Sequence, residues 1–396
     1  MNEMRLFIKK FYKTIIIFIL LVSNSLANNA SSIYSTEDYS LADLNYITLE
    51  NKLPIYEYAV SHPWASISPK SLLKPGITSP AILALRYRLR ATNDLKKEND
   101  TGSPLFDAKL VTAVKFFQST HGLNPDGIIG SSTIYELNIP PEQRLMQIRV
   151  NMKRWYRLSE KFGARFILIN IPAYRLDLIE NGKKIMSMRA VVGKPERQTP
   201  EIISTITRLV LNPYWNVPKS IARRDIIPKI IANPDYLNMT NMKIIDRQES
   251  NPTEIYPDEI NWDRVKNEGF PYSLRQDPGE QNALGLVKFE FQNSDNIYMH
   301  DTPSKNLFNR DKRAFSSGCI RLERPFDLAD YLMEEDPKWN EDMVYETLNE
   351  GKTKYIKVSK PTKVVITYLT TWVDDNGNLQ FRDDLYGLDE NIQAIY

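Results

Sequence analysis

The sequence predicts an α+β protein in which a helical N-terminal part is followed by a mostly-β part. Between residues 76 and 163, apolar side chains recur three and four positions apart, the spacing of helices that bury one face. From Arg165 onward, short runs alternate apolar and polar residues, which is typical of strands. The length of 396 residues is enough for two or three domains.

Residues 1–27 have the pattern of an export signal. Basic residues precede an apolar run at 14–22, and small residues at 25–27 suit a signal peptidase. The run is shorter than the roughly 20 residues that a membrane-spanning helix needs. We therefore predict a cleaved signal peptide, with an uncleaved membrane anchor as the alternative.

The next 113 residues divide into a scaffold segment of weak pattern, 28–75, and a small helical domain, 76–140. In the helical domain a Ser-Pro pair at 79–80 marks a helix start, because serine caps the first turn and proline fits it. Apolar residues line one face of a second helix at 110–117, and a turn with two glycines leads to a third helix at Ser132.

Residues 141–163 predict a connecting helix with an apolar stripe and basic residues between the apolar ones. A helix on a membrane surface is the alternative for this pattern. The stripe consists of Leu145, Ile148, Met152 and Trp155.

The mostly-β part is predicted to form a domain over residues 164–345. Its long excursion at 218–283 carries prolines and charges and has only short helical stretches, so we expect it to cap the domain. A helix is predicted at 325–332, and residues 346–396 are expected to form a C-terminal hairpin and tail. The strand-like runs lie at 166–169, 174–178, 188–192, 287–291 and 297–300.

Composition excludes several classes of function. The net charge is +2 with no long basic block, so a nucleic-acid binder is not expected. Three scattered histidines and one cysteine lack the spacing of a metal site, and no glycine-rich phosphate loop occurs. We therefore expect no metal and no cofactor.

The single cysteine, Cys319, is the strongest candidate for chemistry. An unpaired thiol in an exported protein forms an intermolecular disulfide, is reactive, or is an inert buried residue. Gly318 before it leaves room for a substrate, and His300 lies nineteen residues upstream as a candidate base. Asp301 could orient the imidazole through its carboxylate or its carbonyl. We favour the carbonyl, because adjacent side chains of a strand point to opposite faces.

Two regions resemble known families. Residues 113–118, 121–123 and 126–133 resemble the three-helix peptidoglycan-binding module. Residues 298–303 and 313–321 resemble the active site of L,D-transpeptidases, the YkuD-type catalytic domain, and in particular the large periplasmic members from Gram-negative bacteria. Further matching stretches are 191–194, 199–200, 211–218, 282–285 and 372–375. Ser317 departs from the smaller relatives, many of which have histidine there.

The resemblance implies a mechanism. Cys319 would attack a peptidoglycan stem tetrapeptide, release D-alanine and form a thioester, and the amine of a second stem would resolve it into a 3–3 cross-link. His300 would act as base and then as acid. Residues implied to stabilise the oxyanion or to orient the histidine are Gly318, Ser317 and Asp301. Residues implied to contact the substrate are Arg321, Tyr298, Trp215, Ser316 and Asn282.

The implied partners are donor and acceptor stem tetrapeptides, with carbapenem β-lactams as covalent inhibitors, in the periplasm. The same site could instead act as an L,D-carboxypeptidase or attach lipoproteins to the wall. A wall-peptide cysteine hydrolase commonly has the cysteine before the histidine, the reverse of the order here. A binding protein without activity is the non-enzymatic alternative.

Overall fold

The computed structural model describes residues 41–68, 73–158, 162–246 and 252–390. The predicted signal peptide at 1–27 lies outside the described residues. In the part of the chain that is described, no helix combines the length and the apolar character that crossing a bilayer requires.

Three helices between residues 81 and 138 build a small domain with its own core. Fourteen buried side chains, from Ile67 to Leu137, form this cluster. Asp107 caps the second of its helices, because its carboxylate accepts a hydrogen bond from the amide of Leu110 at 2.9 Å. The helices are α3 (Ala81–Ala91), α4 (Ala108–Thr120) and α5 (Ser131–Asn138).

Three further helices, α1 (Leu41–Glu50), α2 (Leu53–Ser61) and α6 (Pro141–Leu158), pack together. The predicted connecting helix thus forms, but two of its basic residues are buried rather than solvated. Arg154 donates to Asp389 at 2.5 Å, and Arg144 pairs with Glu136 of α5. These two ion pairs therefore join α6 to α5 and to the C-terminal segment that contains Asp389.

Removing the Glu136 carboxylate is expected to destabilise the protein. Arg144 is 2% exposed and its guanidinium lies 4.5 Å from the ring centroid of Phe381, so it would stay buried without its counter-charge. Breaking one side of such a pair costs about 3–5 kcal/mol. Denaturant unfolding of Glu136→Ala should show this loss, while the exposed Glu142→Ala control on α6 should change stability by less than about 0.5 kcal/mol.

The C-terminal part is built on a nine-stranded sheet in the order β11-β3-β12-β10-β9-β4-β13-β1-β2. Because β2 also pairs with β3, the sheet closes on itself. The α+β class is confirmed. The strands are β1 (Arg165–Asn170), β2 (Arg175–Glu180), β3 (Lys183–Gly193), β4 (Ile202–Leu211), β9 (Val287–Phe291), β10 (Met299–His300), β11 (Ala314–Ser316), β12 (Ile320–Leu322) and β13 (Lys354–Thr367).

The two faces of β1 show how the layers assemble. Ile167 and Ile169 point into the main core inside the closed sheet, which α11 (Pro325–Met333) also contacts. Phe166 and Leu168 point the other way and pack with the cluster of α1, α2 and α6. This alternation is the period of two that a strand imposes.

The structure differs from the sequence prediction at the C-terminal end. The expected domain boundary at 345 does not fit, because β13 lies between β4 and β1 in the middle of the sheet. Near-continuous apolar residues at 364–366 are buried on both faces, so they lack the alternation of a hairpin. Only β14 (Thr371–Val373) and β15 (Leu379–Phe381) form the predicted hairpin, and α12 (Glu341–Asn349) precedes β13.

The excursion at 218–283 is more regular than expected. Ten of its buried residues form a core together with Val217, and with β5 the segment builds a four-stranded sheet in the order β5-β8-β6-β7. These strands are β5 (Trp215–Asn216), β6 (Met242–Asp246), β7 (Thr253–Ile255) and β8 (Ser273–Gln276). Its helices are α7 (Lys219–Ile221), α8 (Ile227–Ala232), α9 (Tyr236–Met239) and α10 (Trp262–Glu268), with a π-helical turn at Ala222–Ile226.

Candidate active site

Cys319 lies in a tight connection between β11 and β12. Gly318 there has a φ of +112°, a backbone conformation that side-chain-bearing residues rarely adopt. A β-carbon at this position would approach the side chain of Ile297 at 3.0 Å and a backbone oxygen of Gln198 at 3.3 Å. The glycine that the sequence indicated is therefore required for the shape of the loop that presents the thiol.

His300 ends β10 and Cys319 directly precedes β12, two neighbouring strands of the sheet. β10 and β12 are parallel, with Met299 opposite Ile320 and His300 opposite Arg321. Met299 and Ile320 are fully buried in the main core, so His300 and Arg321 face the other way, and Cys319 packs against that core. Tyr298 links the thiol to the imidazole, because its ring centroid lies 5.7 Å from that of His300 and its hydroxyl hydrogen-bonds the thiol.

The His300 ring is held by backbone. Its Nδ1 donates to the carbonyl oxygen of Asp301 at 2.5 Å. The Asp301 carboxylate is used elsewhere, since it accepts from the Leu286 amide at 3.0 Å and from Lys305 Nζ at 2.5 Å. Burial, assisted by the charge of Arg321, lowers the pKa of His300 to about 3. The imidazole is therefore neutral at physiological pH and keeps a lone pair for a proton.

The thiol of Cys319 is partly buried among aromatic groups. Burial raises its pKa above the ordinary value, and hydrogen bonds from Tyr298, together with the charges of Lys288 and Arg321, oppose that rise. The Tyr298 hydroxyl donates to the thiol and accepts from the Trp215 side chain. Tyr298 and Trp215 therefore lie next to the thiol, and their contact with substrate stays a prediction.

These shifts predict the pH dependence of thiol reactivity in the free protein. A neutral imidazole and a thiol of raised pKa mean that little thiolate exists at pH 7. We expect the rate of iodoacetamide alkylation at Cys319 to rise with pH to beyond pH 9, the ordinary thiol value. A rate that is already constant from pH 5 upward would instead indicate a preformed thiolate–imidazolium pair.

One backbone amide at the thiol is available for an oxyanion. The Gly318 amide donates to Ser316 Oγ at 3.2 Å, so it is already used. The Cys319 amide has no hydrogen-bond partner among the described residues. Ser316 Oγ in turn donates to the Cys319 carbonyl at 2.5 Å and is 2% exposed, which fits bracing of the loop better than contact with substrate.

Arg197 is a residue of this site that sequence reasoning missed. Its guanidinium bonds Ser317 Oγ at 2.9 Å and forms two hydrogen bonds with the Asp225 carboxylate of the capping segment. Thr199, two residues on, donates to the Gly318 carbonyl at 2.7 Å. The matching stretches on either side, at 191–194 and 199–200, were the available signal for this connection.

Arg321 has no acidic partner in the part of the chain that the structure describes. Its buried Nε atom has no hydrogen-bond partner there, and Cys319 is the group whose charge acts on it. Burial lowers its pKa, and the adjacent Cys319 raises it. A guanidinium left unpaired beside the thiol is available for an anionic group of a substrate.

Asn282 contributes to the site indirectly. It is 1% exposed, and its amide nitrogen donates to the carbonyls of Pro213 at 3.0 Å and Asp277 at 2.9 Å. Its amide oxygen accepts from Leu284 at 2.8 Å. The side chain therefore joins the two ends of the capping segment, and the predicted contact with substrate does not fit this placement.

A thiol and a neutral imidazole at neighbouring strands, next to an amide without a partner among the described residues, are the groups that acyl-transfer sites with a cysteine nucleophile use. Among the described residues, no three histidine, cysteine, aspartate or glutamate side chains cluster as metal ligands would.

The family model of the L,D-transpeptidase catalytic domain (YkuD) matches residues 164–366, just over half of the chain. The chain belongs to this family. The model described as "Putative peptidoglycan binding domain" matches residues 78–137.

A curated relative from Haemophilus influenzae, named "Putative L,D-transpeptidase", is 38% identical over 226 residues. The match covers 57% of this chain and 45% of the relative, so the chain spans less than half of that protein's length. The L,D-transpeptidase of Stackebrandtia nassauensis is 12% identical, with 76% of this chain and 97% of that chain covered and a TM-score of 0.28. That of Xylanimonas cellulosilytica is 13% identical, with 75% and 98% covered and a TM-score of 0.24.

Proposed function

We propose that this chain is an L,D-transpeptidase that forms 3–3 cross-links between peptidoglycan stem peptides through a thioester on Cys319. The observation that carries the proposal is that Tyr298 contacts both Cys319 and His300, on neighbouring strands of a chain of this family. The neutral imidazole supports a role as base, because only the unprotonated ring can accept the thiol proton.

In the first half-reaction His300 takes the proton of Cys319, and the sulfur attacks the carbonyl carbon after the third residue of a donor tetrapeptide. The Cys319 amide stabilises the oxyanion. His300 then gives its proton to the departing amine, the C–N bond breaks and D-alanine leaves. Hydrogen bonding of Nδ1 to the Asp301 carbonyl supports this role, because it fixes the ring and its tautomer, so that Nε2 carries the lone pair.

In the second half-reaction the side-chain amine of an acceptor stem attacks the thioester. His300 removes a proton from this amine, the C–S bond breaks and the sulfur regains a proton. The product is an amide between two third-position residues, and the free enzyme returns. Water in place of the amine would give the L,D-carboxypeptidase reaction, so the acceptor alone separates the two outcomes.

Arg321 is proposed to bind a carboxylate of the stem peptide. Replacement by methionine keeps most of its volume and removes the charge, so we expect kcat/KM for the donor to fall about 10- to 100-fold. Steady-state kinetics with a disaccharide tetrapeptide would measure this. The exposed Arg324, which pairs with Asp327, offers the control Arg324→Met, and an equal loss in both variants would contradict the assignment.

Mass spectrometry of the products tests the function itself. Incubation with disaccharide tetrapeptide should yield a dimer lacking one alanine, and a carbapenem should add its full mass at Cys319. Tripeptide alone would support hydrolysis, and a dimer joined to a lipoprotein peptide would support wall attachment. Neither product nor adduct would favour a wall-binding protein without activity.

We also propose that the helical domain at 76–140 binds peptidoglycan and that the protein works in the periplasm after cleavage of residues 1–27. The match of residues 78–137 to a peptidoglycan-binding family supports the first point. Sedimentation with purified cell walls would test binding. N-terminal sequencing of the protein from a periplasmic extract would test export and cleavage.

A further inference from the structure

An open groove lies over strands β4, β9 and β13, next to the residues that surround the thiol. Its volume is about 800 Å³, within the range of small-ligand sites, and it ends at Tyr298 beside Cys319. A second cavity of about 280 Å³ lies beneath the capping segment, and Tyr355 of β13 lines both. The two cavities therefore adjoin at Tyr355 and make up a path whose lining includes Tyr298.

The floor of the groove is an ordered chain of charges and rings. Lys288 Nζ lies 4.2 Å from the centroid of the Tyr298 ring and donates to Glu290 at 2.8 Å. Glu290 also accepts from Arg208 Nε at 2.5 Å, and the Arg208 guanidinium lies 5.2 Å from the Tyr355 ring centroid. Each of these side chains contacts the next one, so the groove has its charges and rings in place before a ligand binds.

Two tyrosines present aromatic surface to this path. Tyr355 is 62% exposed and Tyr214 is 40% exposed. Each carries an arginine beside its ring, since Arg275 lies 4.7 Å from the Tyr214 centroid. An exposed aromatic ring held in place by a cation is a platform for a flat ligand with an apolar face.

The charges select among possible ligands. Arg208 and Lys288 share one carboxylate, Glu290, and Lys357 adds a further cation at the rim, so the groove is net positive. Side-chain amides of Gln292, Asn293 and Asn296 also line it. A ligand that fits has carboxylates, amide and hydroxyl groups, and an apolar ring face.

We infer that this groove binds the saccharide end of the donor, with an N-acetylhexosamine ring on Tyr355 and the acidic stem peptide leading past Arg208 and Lys288 to Cys319. A stem peptide alone has no ring to cover the tyrosines, whereas the CH-rich face of a pyranose does. The inference rests on the proposed function, because it assigns the groove to the same substrate.

The test compares a disaccharide tetrapeptide with the same tetrapeptide lacking sugars. Wild-type protein should have a KM about tenfold lower for the disaccharide form. In Tyr355→Ala this preference should fall to within about twofold, whereas Tyr355→Trp should retain it. The control Tyr345→Ala removes a tyrosine that is 69% exposed on α12 and does not line the groove, so it should keep the wild-type preference.

Binding to the Cys319→Ala protein separates this inference from the proposed function. Calorimetry on that variant should give a Kd about tenfold lower for the disaccharide form, and adding Tyr355→Ala should remove the difference. Equal affinity for both ligands, or an equal loss for both on adding Tyr355→Ala, overturns the saccharide site even if cross-linking is observed. If the wild-type protein shows no turnover but the Kd is still lower for the disaccharide form, the proposed function is overturned and the saccharide site is supported.

Discussion

Cys319→Ala is expected to abolish cross-linking and hydrolysis of stem peptides and to prevent acylation by carbapenems. The physical reason is that the attacking sulfur has no substitute: Cys319 is the only cysteine of the chain. The methyl group is smaller than the thiol and the position is already partly buried, so the fold should persist. Product mass spectrometry and intact-protein mass after carbapenem treatment would measure both effects.

Binding of the Cys319→Ala protein to cell walls should remain at the wild-type level, because the helical domain lies outside the catalytic loop and has its own core. This retention shows that the helical domain of the variant is folded, and an unchanged urea-unfolding midpoint would show the same for the catalytic domain. Cys319→Ser is the matched control for shape, and it should be almost as inactive because an alkoxide is far harder to form than a thiolate. Measurable cross-linking by Cys319→Ala would contradict the thioester mechanism.

The candidate site could be read from the sequence because its parts are local. Cys319 with its glycine lies in one loop, and His300 with Asp301 lies at the end of one strand-like run. The strand pairing that brings them together is a product of tertiary structure, since β10 and β12 pair in parallel across a nineteen-residue connection from Asp301 to Cys319. The alternation of buried and outward residues could predict which face of its strand each residue occupies, but not which strands are neighbours in the sheet.

Residues that act across the chain could not be predicted in the same way. Arg197 reaches Asp225 and Ser317, and Arg208 reaches Glu290, over long sequence separations. Arg144 and Arg154 follow the pattern of an exposed basic face, yet each is buried against a carboxylate from another element. Periodicity predicts which face is apolar, but it carries no information about a distant partner that pairs a buried charge.

The missed strands have a related cause. β4 and β13 share the longest ladder of the sheet, and a register shift between Lys357 and Thr362 interrupts it. Pro361 lies within that interruption, and a proline in a strand-like run argues against a central strand. The bulge accommodates the proline and allows the strand to continue. It depends on pairing with β4, so the sequence around Pro361 alone could not predict it.

His300→Gln is the second change with a large expected effect, a fall in kcat of about 10²- to 10⁴-fold. Glutamine can still donate an amide hydrogen toward the Asp301 carbonyl, but it cannot take the thiol proton. Single-turnover acylation by a carbapenem, followed by mass spectrometry, isolates the step in question. The rate should fall without loss of the final adduct, because an activated β-lactam still reacts with the small thiolate fraction at higher pH.

The same variant should change how stability depends on pH, with a sign that follows from burial. The folded protein holds the pKa of His300 at about 3, whereas an unfolded histidine has an ordinary value of 6.5. Below pH 6.5 His300 is therefore protonated in the unfolded chain but not in the folded protein. The free energy of unfolding consequently falls as the pH drops toward 3. This residue alone accounts for a loss of about 3 kcal/mol between pH 7 and pH 4. Urea unfolding at the two pH values should show His300→Gln losing about 3 kcal/mol less than the wild type, and identical losses would mean that the imidazole is charged in the folded protein.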